Sequence, residues 1–338
     1  MNATSNTAPK PATTAQRWLI GTIAAVLTAV MAASALICYQ ALMAEAHARY
    51  LGIRNVASEK VAKTIRGVEM SANNIFAEVE KNLQSPETVI AALEGKASLN
   101  LDVRGYFAAF TPNYFPEKGT WFEPYIYQPE TGGFEYKQMG SARHNYTKSP
   151  WFIRAKKATG TFWSRPYYFY DGTTLSGHYF TFVKPIYDND GKLACVCGAD
   201  MKFGWLSKEL EWVDDISKNN SLLNRYHPDS DYDFYSVIIN NDGTCIAHPN
   251  DKALIVNDKE FLRDIALQKS GVIDMDVNGE ACRIYYGPIE YIHWTAAIVV
   301  PKSSLYKPML DTAVLLLIIT TIGLLAVWLL TRKAFKNN

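Results

Sequence analysis

The stretch from His178 to Met201 reads HYFTFVKPIY DNDG KLACVCGADM, and it decides the fold. Two runs rich in aromatic and β-branched residues flank Asp188-Asn189-Asp190-Gly191, whose residue types tolerate the positive φ angles of hairpin turns. The stretch therefore predicts two antiparallel strands, His178–Tyr187 and Lys192–Met201. We expect the surrounding sequence to supply further strands of the same sheet.

The residues around this hairpin predict a first sheet module, 85–213. Turn residues separate short apolar runs before the hairpin, and Ser149-Pro150 opens a helix that Gly160 closes. The further elements that we expect are the strands Trp121–Tyr127, Phe134–Gln138 and Thr161–Tyr170 and the helices Trp151–Thr159 and Phe203–Trp212.

A second module, 214–308, repeats this order in a shorter form after a polar loop, Asp214–Asp233. The expected elements are the strands Tyr235–Asn240, Thr244–His248, Val272–Val277, Glu280–Gly287 and Trp294–Val300, with the helix Lys259–Lys269 after the second strand. The fold class that follows is α+β, with two tandem PAS-like antiparallel-sheet modules behind a long N-terminal helix, flanked by two transmembrane helices.

That long helix, 40–84, precedes the modules. Apolar residues recur along it at steps of three and four: Val61, Ile65, Val68, Ala72, Ile75, Val79 and Leu83. Such a stripe packs either on the helix's own domain or on a second copy of the helix, as a dimerising stalk. Both interpretations stay open, and one long helix can do both. Ser85 then serves as the N-cap of a shorter helix.

Two apolar segments bracket these elements. Trp18–Tyr39, about 22 residues, and Thr312–Thr331, about 20, can each cross a hydrocarbon core of about 30 Å as a helix. The tails 1–17 and 332–338 carry basic residues and no acids, which favours a cytoplasmic position for both. We therefore expect a two-pass protein of the bacterial inner membrane with a periplasmic main domain. A cleaved signal peptide is the alternative for the first segment.

Composition narrows the class of function. A net charge of +1, with scattered basic residues, argues against a nucleic-acid partner. We expect no enzyme activity, because the sequence has no G-x-S-x-G elbow, no H-E-x-x-H motif and no phosphate-binding glycine loop. The histidines and cysteines show no metal-ligand spacing, so neither a metal nor a cofactor is expected. Aromatic residues are dense in 106–182, which fits either core packing or an aromatic-lined pocket.

The cysteines allow one disulfide. Cys195 and Cys197 share one face of a strand, where their Cα atoms stand too far apart for easy bridging. A bond between Cys245 and Cys282 is possible, although nothing else in the sequence supports it.

The order of long helix, two sheet modules and second apolar span resembles the double-Cache family of extracytoplasmic sensors. The local match is best at Ser149–Phe152, at Trp163–Tyr167 and along the 178–201 hairpin, and Ile239–Gly243 fits the second module. Members of this family sense signals for chemoreceptors, histidine kinases, phosphatases and cyclic-dinucleotide enzymes. The resemblance implies that a small ligand binds in the first, membrane-distal module.

Single residues carry this resemblance into the site. Trp151 matches the family's helix tryptophan, Tyr167 matches a tyrosine on the next strand, and Asp200 matches the acid that takes a ligand amine. Phe169 stands where a further acid is usual, although Asp171 is close. The resemblance thus implies a partly preserved amine-binding half.

The carboxylate-binding half departs from the family. Amino-acid-binding members place an Arg two residues before the helix tryptophan, and this chain has Ser149 there. Lys148 or Arg143 offers a cation from the same segment. Free α-amino acids are therefore weakly indicated as ligands.

The residues that we expect to contact a small ligand offer hydroxyl groups, carboxylates or flat aromatic area; they are Trp151, Trp163, Tyr167, Tyr170, Asp171, Tyr179 and Asp200. Several of these residues also fit a purely structural role. The two tryptophans fit core packing, Asp171 fits a turn beside Gly172, and Asp200 fits a cap of the helix near Phe203.

These observations predict a membrane-anchored sensor that works as a homodimer through its stalk helix. A small-molecule ligand enters the distal module, and a conformational signal passes through the stalk and the spans in the lipid bilayer. The alternative is a non-signalling ligand-binding or scaffolding module at the outer face of the membrane. The chain ends at Asn338, so we expect either a longer receptor or a separate cytoplasmic output protein.

Overall fold

The computed structural model describes residues 14–170, 173, 175–219, 233–248 and 258–334. The chain forms two compact units. One unit contains both β-sheets and the part of the first helix that starts at Gly52, and the other contains the chain up to Leu51 and from Val300 onward.

Two long helices are apolar enough to cross a membrane. Helix α1 spans Thr14–Lys81 and the last helix, α6, spans Lys302–Ala334. Each contains an 18-residue apolar window in which no residue is buried. Large apolar surfaces exposed in this way are costly in water, so a lipid environment suits both.

The predicted stalk is helical up to Lys81. Its apolar stripe is fully buried at Val61, Ile65, Val68, Ala72, Ile75 and Val79, while Leu83 lies beyond the end of α1 and is half-buried. The sheets supply this burial: Phe76 of α1 stacks on Phe182, with their ring centroids 6.4 Å apart. The stripe therefore packs on the helix's own domain, as one of the two interpretations requires.

A seven-stranded antiparallel sheet forms the first module. Its strands are β1 (Gly105–Phe110), β2 (Pro124–Tyr127), β3 (Glu135–Gln138), β4 (Phe162–Trp163), β5 (Tyr167–Phe169), β6 (Gly177–Tyr187) and β7 (Leu193–Lys202). The order is β3-β2-β1-β7-β6-β4, with β5 also paired to β6. The hairpin predicted from 178–201 is confirmed as β6 and β7, in which Thr181 faces Asp200.

Helices complete this module. Helix α2 (Pro86–Glu94) starts at the predicted N-cap Ser85, whose side chain accepts from the backbone N–H of Thr88. Helix α3 (Pro150–Ala155) is shorter than expected. Helix α4 (Phe203–Asn219) is longer and takes up the first residues of the predicted polar loop, whose remaining part up to 232 lies outside the described residues.

Two predictions about strands were wrong. The single strand expected at Thr161–Tyr170 is divided into β4 and β5, because Pro166 has no N–H to donate to the ladder. The central strand β1 was missed altogether. Its sequence, GYFAAF, is buried on both faces, so it lacks the alternation that marks a half-exposed strand.

A five-stranded sheet forms the second module, in the order β10-β11-β12-β8-β9. Its strands are β8 (Tyr235–Asn240), β9 (Cys245–Ala247), β10 (Gly271–Val277), β11 (Glu280–Pro288) and β12 (Trp294–Pro301), and α5 spans Lys259–Ala266. In both modules the first strand pairs with the last one. The predicted fold class is confirmed, while the exact module boundaries stay predictions.

All five cysteines are thiols in the structure. The Sγ atoms of Cys195 and Cys197 are 3.9 Å apart, as expected for two residues on the same strand face that do not bridge. The bond considered between Cys245 and Cys282 is not formed.

Candidate functional site

A cavity of about 710 Å³ lies on the face of the first sheet opposite α1. Side chains alternate across a strand, so Phe180 and Phe182 of β6 point toward α1 while Tyr179, Thr181 and Val183 point the other way. Aromatic rings form most of the cavity wall: Phe107, Tyr125, Trp151, Phe162, Tyr167, Phe169 and Tyr179. Such walls with few polar groups are typical of small-ligand sites.

Two glycines make room for this wall. A Cβ atom on Gly198 would stand 2.1 Å from Cζ of Phe107, and one on Gly105 would stand 2.5 Å from Cζ of Tyr125. Real Cβ contacts are never so short, so the two rings reach their positions only because their neighbours on β7 and β1 have no side chain.

Asp200 lies on the floor of the cavity, near the end of β7. It is 9% exposed. Its Oδ1 accepts hydrogen bonds from Thr181 Oγ1 at 2.6 Å and from the Tyr167 hydroxyl at 3.3 Å. These bonds direct the carboxyl group toward the cavity wall, so Asp200 lines the cavity, and its contact with a ligand stays a prediction.

Burial raises the pKa of Asp200 to about 7. Hydrogen bonds from Thr181, Tyr125 and Tyr167 lower it, and the negative charge of Glu123 raises it further. A buried carboxyl group with this pKa gains most from a partner that supplies positive charge.

Trp151 forms one wall of the cavity. It is the second residue of α3, and Pro150 starts that helix, which directs the indole back over the sheet. Its ring centroid is 5.0 Å from that of Phe107. The residue is buried, so it serves core packing and the cavity wall at the same time.

The three predicted tyrosines line the cavity in different ways. Tyr167 bridges Thr181 and Asp200, and burial raises its pKa well above the ordinary value. Tyr179 is buried, and its hydroxyl donates to the Leu175 carbonyl at 2.8 Å. Tyr170 lies at the mouth and is 74% exposed.

Two predicted residues do not join this group. Trp163 points to the α1 face of the sheet, where its Nε1–H donates to Glu69 Oε1 at 2.7 Å and its ring packs on Phe180 and Phe182. Its place in the ligand site is therefore corrected to a contact with α1, because neighbouring strand residues point to opposite faces. Asp171 lies outside the described residues.

Sequence reasoning missed a second acid in the cavity. Glu123 is 4% exposed, and burial raises its pKa. Its Oε2 lies 3.2 Å from Nε2 of His144, another cavity residue. The signal in the sequence was a lone acid inside the apolar run Trp121–Tyr127.

The two arginines of the cavity lining lie at its exposed edge. Arg154 and Arg165 line it but are exposed. Arg154 donates to the Trp163 carbonyl at 3.2 Å, and its guanidinium lies 4.1 Å from the Phe162 ring centroid. Ser149, which stands where amino-acid-binding members of the resembled family place an Arg, also lines the cavity.

Comparison with known proteins finds a family model that matches most of the first module. Residues 90–208 match the family described as "Methyl-accepting chemotaxis protein-like, first PDC sensor domain". No curated protein sequence matches the chain.

Solved structures of sensor domains share the fold of both modules. The periplasmic sensory domain of the Campylobacter jejuni chemoreceptor Tlp1 aligns with a TM-score of 0.62 at 15% identity, over 77% of this chain and 96% of that one. The extracellular domain of soHK1S-Z6, described as a histidine kinase, gives 0.60 at 18%, over 80% and 99%.

A third structure is the ligand-binding domain of the Campylobacter jejuni chemoreceptor Tlp3, solved in complex with 4-methylisoleucine. It aligns with a TM-score of 0.52 at 13% identity, over 80% of this chain and 94% of that one. The predicted resemblance to double-Cache sensor domains is confirmed by these folds and by the family match over 90–208.

Proposed function

We propose that the two-module domain is an extracytoplasmic sensor that binds a small molecule with a protonated amine in the first-module cavity. The observation that carries this proposal is the buried carboxyl group of Asp200 on the floor of an aromatic cavity. A buried carboxylate is stable only when it is paired, and an ammonium group both neutralises it and donates hydrogen bonds.

The aromatic walls support the same class of ligand. Tyr125, Trp151 and Tyr167 supply ring faces, on which a cation or the methylene groups beside it can lie. The 4-methylisoleucine held by Tlp3 also carries an amine. This comparison supports the proposal only through the shared fold.

The signal is proposed to leave the cavity through β4. Phe162 lines the cavity, and the next residue, Trp163, bonds Glu69 of α1. A second link joins Lys184 of β6 to Glu80 of α1 at 3.2 Å. A ligand that favours one position of β4 would therefore favour one position of α1, to the extent that its affinity differs between the two.

Further parts of the proposal concern the setting. The protein is a two-pass protein of the bacterial inner membrane, with its modules in the periplasm. It forms a homodimer through α1 and signals to a cytoplasmic output protein. The two apolar helices and the sensor-family match support the membrane anchor and the extracellular domain.

The test is a binding screen on the full chain in lipid nanodiscs, with amines, amino acids, carboxylates and sugars, followed by isothermal titration. We expect amines to bind and Asp200→Asn to weaken them by at least about 10-fold, since a charged hydrogen bond contributes about 1.5–3 kcal/mol. Asp190→Asn, in the exposed hairpin turn, is the matched control. Binding that is unchanged in Asp200→Asn would refute the site.

A further inference from the structure

We propose that Glu123 forms a second ligand subsite, so that the cavity selects compounds with two protonated amines and no carboxylate. This inference rests on the proposed function, because it names the ligand class of the same cavity. A linear diamine is the simplest member of that class.

The first step is the sparsely paired carboxyl group of Glu123. Its Oε2 is buried, and its partner among the described residues is Nε2 of His144, 3.2 Å away. The residue is more than nine-tenths buried and lines the cavity. A buried carboxylate that a single imidazole pairs still has acceptor capacity to spare, and a ligand N–H would use it.

The second step is the balance of charge. Asp200 and Glu123, the two buried acids of the lining, are matched by one imidazole, that of His144. The guanidinium groups of Arg154 and Arg165 are exposed, and Arg154 is already engaged with the Trp163 carbonyl. A ligand carboxylate would therefore meet buried negative charge without a buried cation to hold it.

The third step is the distance between the two acids. Asp200 faces Gly105 across β7 and β1, and Gly105 faces Tyr127 across β1 and β2. Glu123 lies four residues before Tyr127 on the same strand face. With about 4.8 Å between strands and 3.3 Å per residue, the Cα atoms of the two acids are about 16 Å apart. A ligand that reaches both carboxyl groups therefore needs two polar ends separated by a chain of several methylene groups.

Apolar surface fills the space between the acids. The ring centroids of Phe107 and Tyr125 are 6.5 Å apart, and Trp151 packs on Phe107. Methylene groups of a linear diamine would contact these rings while each ammonium group reached one carboxylate. The geometry and the charge thus point to the same ligand.

The experiment compares 1,5-diaminopentane with 1-aminopentane, which has the same five carbon atoms and one amine fewer. Both are titrated into the full chain in nanodiscs, beside lysine, which adds a carboxylate. We expect the diamine to bind at least about 10-fold tighter than the monoamine, and lysine to bind more weakly than the diamine.

A variant of Glu123 tests whether this residue causes the difference in affinity between the diamine and the monoamine. Glu123→Gln should bring the two affinities within about twofold of each other, so the readout is the ratio of monoamine to diamine affinity within each variant. Glu117→Gln, an exposed acid outside the cavity, should keep the full difference. If Glu123→Gln fails to fold, the ratio of diamine to monoamine affinity is compared between Glu123→Asp and the wild type instead.

The outcomes separate the two proposals. Equal affinities for monoamine and diamine, an unchanged ratio in Glu123→Gln, or tighter binding of lysine would overturn the second subsite. The amine sensor would still stand if Asp200→Asn weakened these compounds. Failure of all three compounds to bind would overturn both proposals.

Discussion

At the scale of single residues, the chemistry depends on Asp200. Its pKa of about 7 means that the unliganded cavity holds a largely neutral acid below neutral pH and a carboxylate above it. An ammonium group binds the carboxylate form, while aliphatic amines stay protonated up to about pH 10.

Amine affinity should therefore rise with pH. The ionised fraction of Asp200 increases about tenfold between pH 6 and pH 8, so the Kd of 1-aminopentane should be about tenfold higher at pH 6. Titrations at both pH values measure this. The Kd of Glu123→Gln should still depend on pH. If this pH dependence were lost in the variant, the group that titrates would be Glu123 and not Asp200.

Gly198 should be intolerant of any side chain. In Gly198→Ala the new methyl group meets the Phe107 ring, which must move into the cavity. We expect the protein to lose about 1–3 kcal/mol of unfolding free energy, read as a lower melting temperature by circular dichroism. Gly204→Ala, whose Cβ meets open space in α4, is the control, and equal stability of the two variants would contradict the packing argument.

Some site residues were readable from the sequence, and the reasons differ. Trp151, Tyr167 and Asp200 match positions of the resembled sensor family, and all three line the cavity. Glu123 was missed because an acid in an apolar run usually marks an exposed strand position, and burial is a property of the assembled sheet. Trp163 was misplaced because the residue parity of β4 depends on where the chain is interrupted at Pro166.

At the scale of elements, β4 connects the cavity to α1. Trp163→Phe keeps a ring between Phe180 and Phe182 but loses the hydrogen bond to Glu69. We expect a loss of about 1.5–3 kcal/mol in unfolding free energy, because the acceptor is charged. Amine affinity should change less than about twofold, since the indole lies outside the cavity.

Trp212→Phe is the matched control for this link, because Trp212 is half exposed on α4. It should change stability by less than about 0.5 kcal/mol. A loss of amine binding in Trp163→Phe, with the fold intact by circular dichroism, would show that the indole contacts the ligand after all.

The elements themselves were predicted unevenly. The hairpin β6–β7 and the strands of the second module are rich in aromatic and β-branched residues and lie beside strong turn residues, so both were found. Strand β1 has small and aromatic residues on two buried faces, and no local pattern distinguishes it from a loop or a helix turn. Only pairing with β2 and β7 defines it.

At the scale of the whole molecule, the orientation across the membrane can be tested directly. In a background whose five native cysteines are replaced by serine, we expect a cysteine at Asp190, in the exposed hairpin turn, to react with an impermeant maleimide on intact spheroplasts. A cysteine at Lys10 should react only after permeabilisation, because basic tails stay in the cytoplasm. Labelling of Asp190→Cys only after permeabilisation would place the modules inside the cell.

The pairing of β1 with β7 also dictates an order of assembly. Gly105 pairs with Asp200, which lies 95 residues later, so the sheet can close only after nearly all of the first module has been synthesised. Until β7 is available, the apolar segment GYFAAF lacks this partner strand and is prone to aggregation. We expect the cavity to be among the last parts of the module to fold, and chaperones to bind the nascent chain until then.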